Sequence, residues 1–346
     1  MKKNLFSLVA GLLLLATAPL GIVSAWGGYG GQNVQGKGEY RLEGPFTQGN
    51  LTVFLIHGKD KIKGQTFITL QEALVQKKVI VRETREVNQL TIENISTEEV
   101  FVQSGDIVKG GQQDRMLVVD LILPPRSGKI PIAAFCVENG RWSRRGNEEV
   151  TTFTSSSNVV ASRDVKLAAK ARGSQGEVWR EVAAAQDKLS ANVGNNVKNE
   201  ASPTSLQLAL ENKDVQKTAE NYVDALSGII NGKPDVIGYV FAINGKINSA
   251  DVYASSVLFK KLWPKLLKAS AIEAIAELRR GEKFEAPKSD AVQGFLDDSS
   301  KGAEKQKDVS SRVQMVTRES AGSVFFETRD RAKSDVWVHR NLIKKN

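Results

Sequence analysis

The sequence is poor in the residues that most often carry chemistry, with one cysteine, Cys136, and two histidines, His57 and His339. A single cysteine excludes any intrachain disulfide, so stability must come from a packed core. Two isolated histidines give little support to a Ser-His-Asp triad or a multi-histidine metal site. Each stands at a strand end and reads as a surface or capping histidine. Cys136 sits between Phe135 and Val137 with no basic residue close before it, the context of a buried apolar thiol rather than an activated nucleophile. Beyond the first 25 residues there is no apolar run long enough to span a membrane, and no repeat of 20 to 50 residues, which removes solenoids and propellers. Nothing in the pattern calls for a cofactor or a metal.

What is present is ordinary for a globular chain of 346 residues: 41% hydrophobic and 25% charged, enough for one large or two ordinary domains. Residues 1–25 have the pattern of a secretory signal, with Lys2 and Lys3, an apolar stretch from Leu5 to about Ala18, and Val23-Ser24-Ala25 as a small-residue cleavage site. Export to the periplasm or the extracellular space is therefore expected. Lysine and arginine outnumber aspartate and glutamate by 48 to 39, a balance that favours anionic partners. The basic residues are interspersed with acidic ones and form no aromatic-laced stripe, so nucleic acid is not an expected partner.

Residues 26–38 contain six glycines in WGGYGGQNVQGKG and read as a flexible leader. From 39 to 142 the chain reads mainly as short strands, such as LTVFLIHG, KVIVRE and IPIAAFCVE, separated by Gly, Pro, Asn and Ser, as in a sandwich or barrel. One helix interrupts them, opened by a capping box at Thr69 and Glu72. Residues 143–173 are polar and rich in Ser and Thr, and read as a linker or loop. In residues 174–346 helices take over: Val178, Val182, Ala185 and Leu189 share one stripe, and Val215, Ala219, Tyr222 and Leu226 another. Asn244-Gly245 between apolar runs predicts a hairpin, because both turn positions need positive φ. Pro264 reads as a break or first-turn residue, residues 281–308 as charged and mobile, and the last segments as strands. The expected fold is α+β: a mainly antiparallel, sandwich-like N-terminal half packed with a helix-rich α+β C-terminal half.

The polar punctuation concentrates in residues 104–142. Gly110-Gly111 predicts a tight hairpin whose N–H groups could cradle an anion, with Gln112 nearby and Arg115 as a bidentate donor. Asp106 is a candidate acid, base or hydrogen-bond acceptor. Farther on, Asn139-Gly140 predicts a second hairpin turn that would set Glu138 opposite Arg141, with Trp142 beside them as a pocket wall. Asp106 and Glu138 together could divide acid and base roles. An ordinary turn with structural ion pairs accounts for the same residues.

At GDIVKGGQQDR, LPPRSGKIPIAAFCVENGRW and GYVFAINGKINSADVYASSVLFKKLWPKLLKAS the chain resembles the ADP-ribosylglycohydrolase and rhodanese-phosphatase-associated protein domain family. The resemblance covers roughly residues 40–340 and implies Gly111, Gln112, Arg115, Glu138, Arg141 and Trp142 as characteristic polar positions. It carries no activity with it, though the name hints at nucleotide or ADP-ribose chemistry. Three functions compete: an exported binding protein for a small anionic or polyhydroxylated ligand, a metal-independent hydrolase using Asp106 and Glu138, and a structural envelope protein.

Overall fold

The computed structural model describes residues 32–34, 39–62, 64, 66–298 and 301–345. The secretory-signal pattern of residues 1–25 lies outside the described residues, as does most of the glycine-rich leader. In chain order come β1 (Gln32–Val34), β2 (Arg41–Gln48), β3 (Leu51–His57), β4 (Ile68–Thr69), α1 (Leu70–Val75), β5 (Val79–Glu83), β6 (Gln89–Asn94), β7 (Val100–Val102), β8 (Asp106–Gly110), β9 (Arg115–Leu117), β10 (Leu121–Leu123), β11 (Gly128–Cys136) and β12 (Thr152–Val160). After these lie α2 (Arg163–Lys166), α3 (Gln175–Val193), α4 (Leu206–Leu210), α5 (Lys213–Leu226), β13 (Val236–Ile243), β14 (Lys246–Tyr253), α6 (Ser256–Ala276), α7 (Ser289–Asp297), β15 (Ala303–Asp308), β16 (Val313–Glu319), β17 (Ser323–Asp330) and β18 (Val336–Lys344).

The strands form three sheets. An antiparallel sheet of nine runs β1-β2-β3-β13-β14-β18-β17-β16-β15, a closed antiparallel barrel runs β11-β6-β5-β12-β8-β9, and a small sheet runs β10-β7-β4. This mixed, largely antiparallel architecture agrees with the expected α+β class. The sandwich-like N-terminal half and its separation from a C-terminal half do not appear. Strands β2 and β3 join the large sheet, where β3 pairs with β13 from His57↔Val236 to Leu51↔Ile243. The reason is burial: every residue of β3 and of β13 is buried, and a strand covered on both faces belongs in the middle of a sheet with layers on either side.

The stretch 143–173 is not simply a linker. Thr152–Val160 is the strand β12, which joins β5 to β8 and closes the barrel. Closure satisfies the backbone groups that an open edge would leave unpaired, and that demand outweighs the polar composition. Gln32–Val34, inside the glycine-rich leader, pairs with β2. Within residues 281–308, read as mobile, lie α7 and β15.

Several local readings hold. The capping box at Thr69 and Glu72 opens α1. Val178, Val182 and Leu189 are buried along α3, with Gln186 buried in place of Ala185, and the α5 stripe is buried at all four expected positions. Pro264 lies inside α6 rather than at its start, among the buried Leu262, Trp263 and Leu266; packing on several sides there outweighs one lost backbone hydrogen bond. No described helix is long and apolar enough to cross a membrane.

The Asn244-Gly245 turn forms as expected between β13 and β14, with φ of 52° and 73°, and Asn244 does more than turn the chain. Carbonyls at the end of a helix run out of helical donors, and asparagine amides serve four of them here, from Ala274 to the C-cap Glu277. Asn50 donates to Ala274 at 2.9 Å, Asn192 to Ile275 at 2.9 Å and Ala276 at 3.0 Å, and Asn244 to Glu277 at 2.6 Å. Asn50 also donates to Asn244 Oδ1 and accepts from the Tyr222 hydroxyl, each at 2.9 Å. Asn50→Ala removes three hydrogen bonds, two of them buried, so thermal or urea unfolding should show a loss of about 2–4 kcal/mol; a change below about 1 kcal/mol would show that the clamp is dispensable.

Candidate ligand site at the barrel mouth

The barrel core is apolar. Val79, Val81, Leu90, Ile92, Leu117, Ile132 and Ala134 are buried together within it. Strand alternation continues three of these rows into polar side chains at one end. Glu83 follows Val79 and Val81 on β5, Cys136 follows Ile132 and Ala134 on β11, and Arg115 precedes Leu117 on β9. Arg115 and Cys136 are register partners.

Arg115 has no exposed surface. Its Nη1 donates to Gln113 Oε1 at 3.1 Å and to Cys136 Sγ at 2.8 Å, while Nη2 stands 3.5 Å from Glu83 Oε2. Glu83 is engaged elsewhere, accepting from the Thr84 amide at 3.1 Å and the Gln112 amide at 3.3 Å. The Trp142 ring lies across the mouth with its centre 5.7 Å from the Arg115 guanidinium carbon, and the residue is 49% exposed. Two buried donors here have no acceptor among the described residues: Arg115 Nε and Gln113 Nε2. Gln113 is fully buried as well. Burial pushes the Cys136 thiol up to about 11 against the lowering pull of Arg115, so it is a protonated, weakly polar wall rather than a nucleophile.

The other expected site residues lie beside the mouth and are satisfied internally. Gly110 and Gly111, at φ 120° and 56°, begin a β8–β9 hairpin with a longer loop than a two-residue turn. The Gly110 amide donates to Asp114 Oδ1 and the Gly111 amide to the Glu149 carbonyl, both at 3.0 Å. With Gln112 N–H turned to Glu83, these amides do not form an anion cradle. Asn139-Gly140 closes no hairpin, because β11 ends at Cys136 and the next strand starts at Thr152. The expected Glu138–Arg141 pair forms nonetheless, at 2.6 Å.

Two partners that sequence reasoning missed complete this cluster. Arg145 donates to both oxygens of Asp114 at 2.9 Å and to Glu138 at 3.1 Å. Asp114 also accepts from Ser205 Oγ at 2.7 Å, and Arg141 donates onward to the Gly110 and Gly111 carbonyls. Burial acts to raise the Glu138 pKa, but hydrogen bonds from Arg141, Ser202 and the Asp114 amide outweigh it and hold the carboxyl below its ordinary range. It stays ionised and is a poor proton donor. Asp106 is not brought to it: Asp106 lies at the far end of β8, on the order of 13 Å of strand away, and is held by Lys265 at 2.5 Å.

Neither histidine is a surface residue. His57 is buried between Glu43 at 2.8 Å and Asp235 at 2.9 Å. His339, at 2% exposure, stands where the three sheets meet and donates to Asp120 at 2.8 Å and to Asp251 at 3.0 Å. Tyr253 stacks on its ring at 4.5 Å. Thr328 and the Ser104 amide donate to Asp120, and Asn341 to Asp251. Lys170 bridges Ser104 and Asn341. The sequence did carry a signal for this cluster: Asp120, Asp251 and His339 each interrupt an apolar strand run, where a charge needs a partner.

A family model, the ARG and Rhodanese-Phosphatase-superfamily-associated Protein domain, matches residues 39–343. No curated protein and no solved structure matches the chain.

The His339 cluster sets a pH dependence. Burial would lower the imidazolium pKa, but the charges and hydrogen bonds of Asp120 and Asp251 outweigh it and raise it to about 9. The folded protein thus holds a proton that the unfolded chain releases near 6.5. The resulting stabilisation is full below pH 6.5 and declines as pH rises toward 9. Burial lowers Lys170 to about 8, against the pull of Asp120; that adds an opposite slope only above pH 8. Between pH 6.5 and 8 the wild-type protein should lose about 2 kcal/mol of stability through His339. The slope should be absent in His339→Gln; equal slopes in unfolding titrations of the two proteins would refute the assignment.

Proposed function

The chain belongs to the ARG and rhodanese-phosphatase-superfamily-associated protein domain family, and within it we propose the role of an exported protein that binds a small anionic ligand at the mouth of its barrel. One observation carries this reading: Arg115 Nε and Gln113 Nε2 are buried donors without acceptors among the described residues. A buried N–H left unpaired costs about 1–3 kcal/mol, and most such groups in folded proteins have a protein or water partner. A ligand carboxylate or phosphate oxygen placed between them would supply the acceptor, and the Arg115 charge would favour an anion over a neutral carbonyl. Glu83 already accepts three backbone amides, those of Thr84, Arg85 and Gln112, and meets Arg115 only at 3.5 Å, so it neutralises it only partly.

The surroundings support the same role. Barrel mouths are common ligand sites, and Trp142 is an exposed aromatic wall above a buried guanidinium, positioned to cover a planar or sugar-bearing ligand. Entry requires Trp142 to swing aside, since it covers Arg115. Export rests on the Lys2-Lys3, apolar and small-residue pattern of residues 1–25. The hydrolytic alternative has weaker support: Asp106 opens β8, Glu138 follows the end of β11, and each is held in its own ion pair.

A thermal-shift screen with phosphorylated sugars, nucleotides and ADP-ribose, followed by calorimetric titration, tests the proposal. At least one compound should bind the wild-type protein, and Trp142→Ala and Gln113→Leu should each weaken it about 10- to 100-fold. Trp142→Ala changes an exposed residue and should leave the melting temperature of the free protein within a few degrees. Absence of a shift with every compound, or binding indifferent to both variants, would defeat the reading.

A further inference from the structure

A second polar recess lies away from the barrel mouth, where the β13–β14 turn meets the end of α6 and the sides of α2 and α3. It encloses a cavity of about 220 Å³, and its walls carry four cations, Arg163, Lys188, Lys246 and Arg279, against two carboxylates, Asp164 and Glu277. The carboxylates are committed: Asp164 pairs with Arg163 at 3.0 Å and Glu277 with Lys188 at 2.5 Å. Arg279 reaches Glu282 only at 3.6 Å, with both side chains more than half exposed; such a contact contributes little. Lys246 has no ion-pair or hydrogen-bond partner among the described residues.

Cations collect beside helix C-termini because the carbonyl ends there are negative, and this recess adjoins the C-terminus of α6. That role is already filled by neutral groups. The amides of Asn50, Asn192 and Asn244 occupy the carbonyls of Ala274, Ile275, Ala276 and Glu277. The fold therefore leaves Lys246 uncommitted, and Arg279 held only by its loose contact with Glu282. Beneath its floor, Glu273 accepts from Asn248 at 2.7 Å and from the Arg163 amide at 3.1 Å. Burial raises the Glu273 pKa against the lowering charges of Lys166 and Arg163.

From this placement we propose that the recess is a second binding site, for a phosphate group, with Lys246 and Arg279 as its principal ligands and the paired Arg163 and Lys188 as its fixed walls. At about 30 Å³ per water the volume suits a phosphate with a few waters, or the phosphate end of a small monoester, and not a whole nucleotide. The hairpin tip and the helix end are pinned together by Asn244 and Asn50, so the geometry is set before the ligand arrives. Lys246 and Arg279 are exposed, and closing on an anion costs at most the loose Arg279–Glu282 contact.

Calorimetric titration of the full chain with inorganic phosphate, and separately with glycerol phosphate, tests the site. Saturable one-to-one binding is expected. It should weaken at least tenfold in Lys246→Gln and be undetectable in Lys246→Gln/Arg279→Gln. Trp142→Ala should not change it, which separates this site from the barrel mouth. Stronger binding of glycerol phosphate than of phosphate would assign the recess to a monoester, and the reverse to the free ion. No saturable binding of either compound, binding insensitive to the double substitution, or binding abolished by Trp142→Ala would overturn the proposal.

Discussion

The imidazolium of His339 between Asp120 and Asp251 is the contact on which the arrangement of the sheets depends. Asp120 follows the barrel strand β9 and precedes β10 of the small sheet, whereas Asp251 and His339 lie on adjacent strands of the large sheet. One side chain thus ties all three sheets, and it does so with charge in a place where apolar packing would fix position less sharply. Two buried carboxylates are tolerable only because each receives several donors, His339 shared between them, Thr328 and Ser104 on one and Asn341 on the other. Removing any single partner leaves a buried charge short of compensation, which costs more than the intact set contributes. The cluster therefore favours one relative placement of barrel and sheet over near alternatives.

Much of the local structure was legible in the sequence because it is decided by neighbours along the chain. Thr69 and Glu72 specify a capping box within four residues, Asn244-Gly245 specifies its own turn, and the α5 stripe follows from one period. The failures share a cause: they depend on partners far apart in sequence. His339 is 219 residues from Asp120, so its place in an apolar run asks for a partner without saying which. Strand β12 is polar by composition, yet the barrel needs it to close, a requirement visible only once β5 and β8 are placed. The β3 segment looked like one strand of an N-terminal half, but its burial at every residue makes it central to a sheet whose other strands come mostly from the second half of the chain.

The candidate site shows the same limit at finer scale. Sequence reasoning singled out Arg115, Glu138, Arg141 and Trp142 as one group, and the fold separates them into two groups with opposite characters. Glu138 and Arg141 join Asp114 and Arg145 in a network in which each carboxylate is answered by a guanidinium. Arg115, one strand row away, faces a glutamine, a thiol and a distant carboxylate, with N–H groups to spare. Residue type does not distinguish these outcomes, since each cluster sets arginine against a glutamate. The difference lies in the count of donors against acceptors after folding.

That count also explains how a mixed surface can still hold a local site. The basic residues are spread along the chain among acidic ones, as the sequence suggested, and many of the described ones form ion pairs. What matters is where pairing stops. At the end of α6 three asparagines take the carbonyls that lysine or arginine would otherwise serve, and the hairpin carrying Lys246 projects its charge into a recess whose carboxylates already have partners. A neutral cap beside a charged wall leaves the charge uncommitted. Asn244 thus connects two levels of the structure: its backbone conformation makes the turn, its amide satisfies the helix, and both together leave the neighbouring cation free for an external anion.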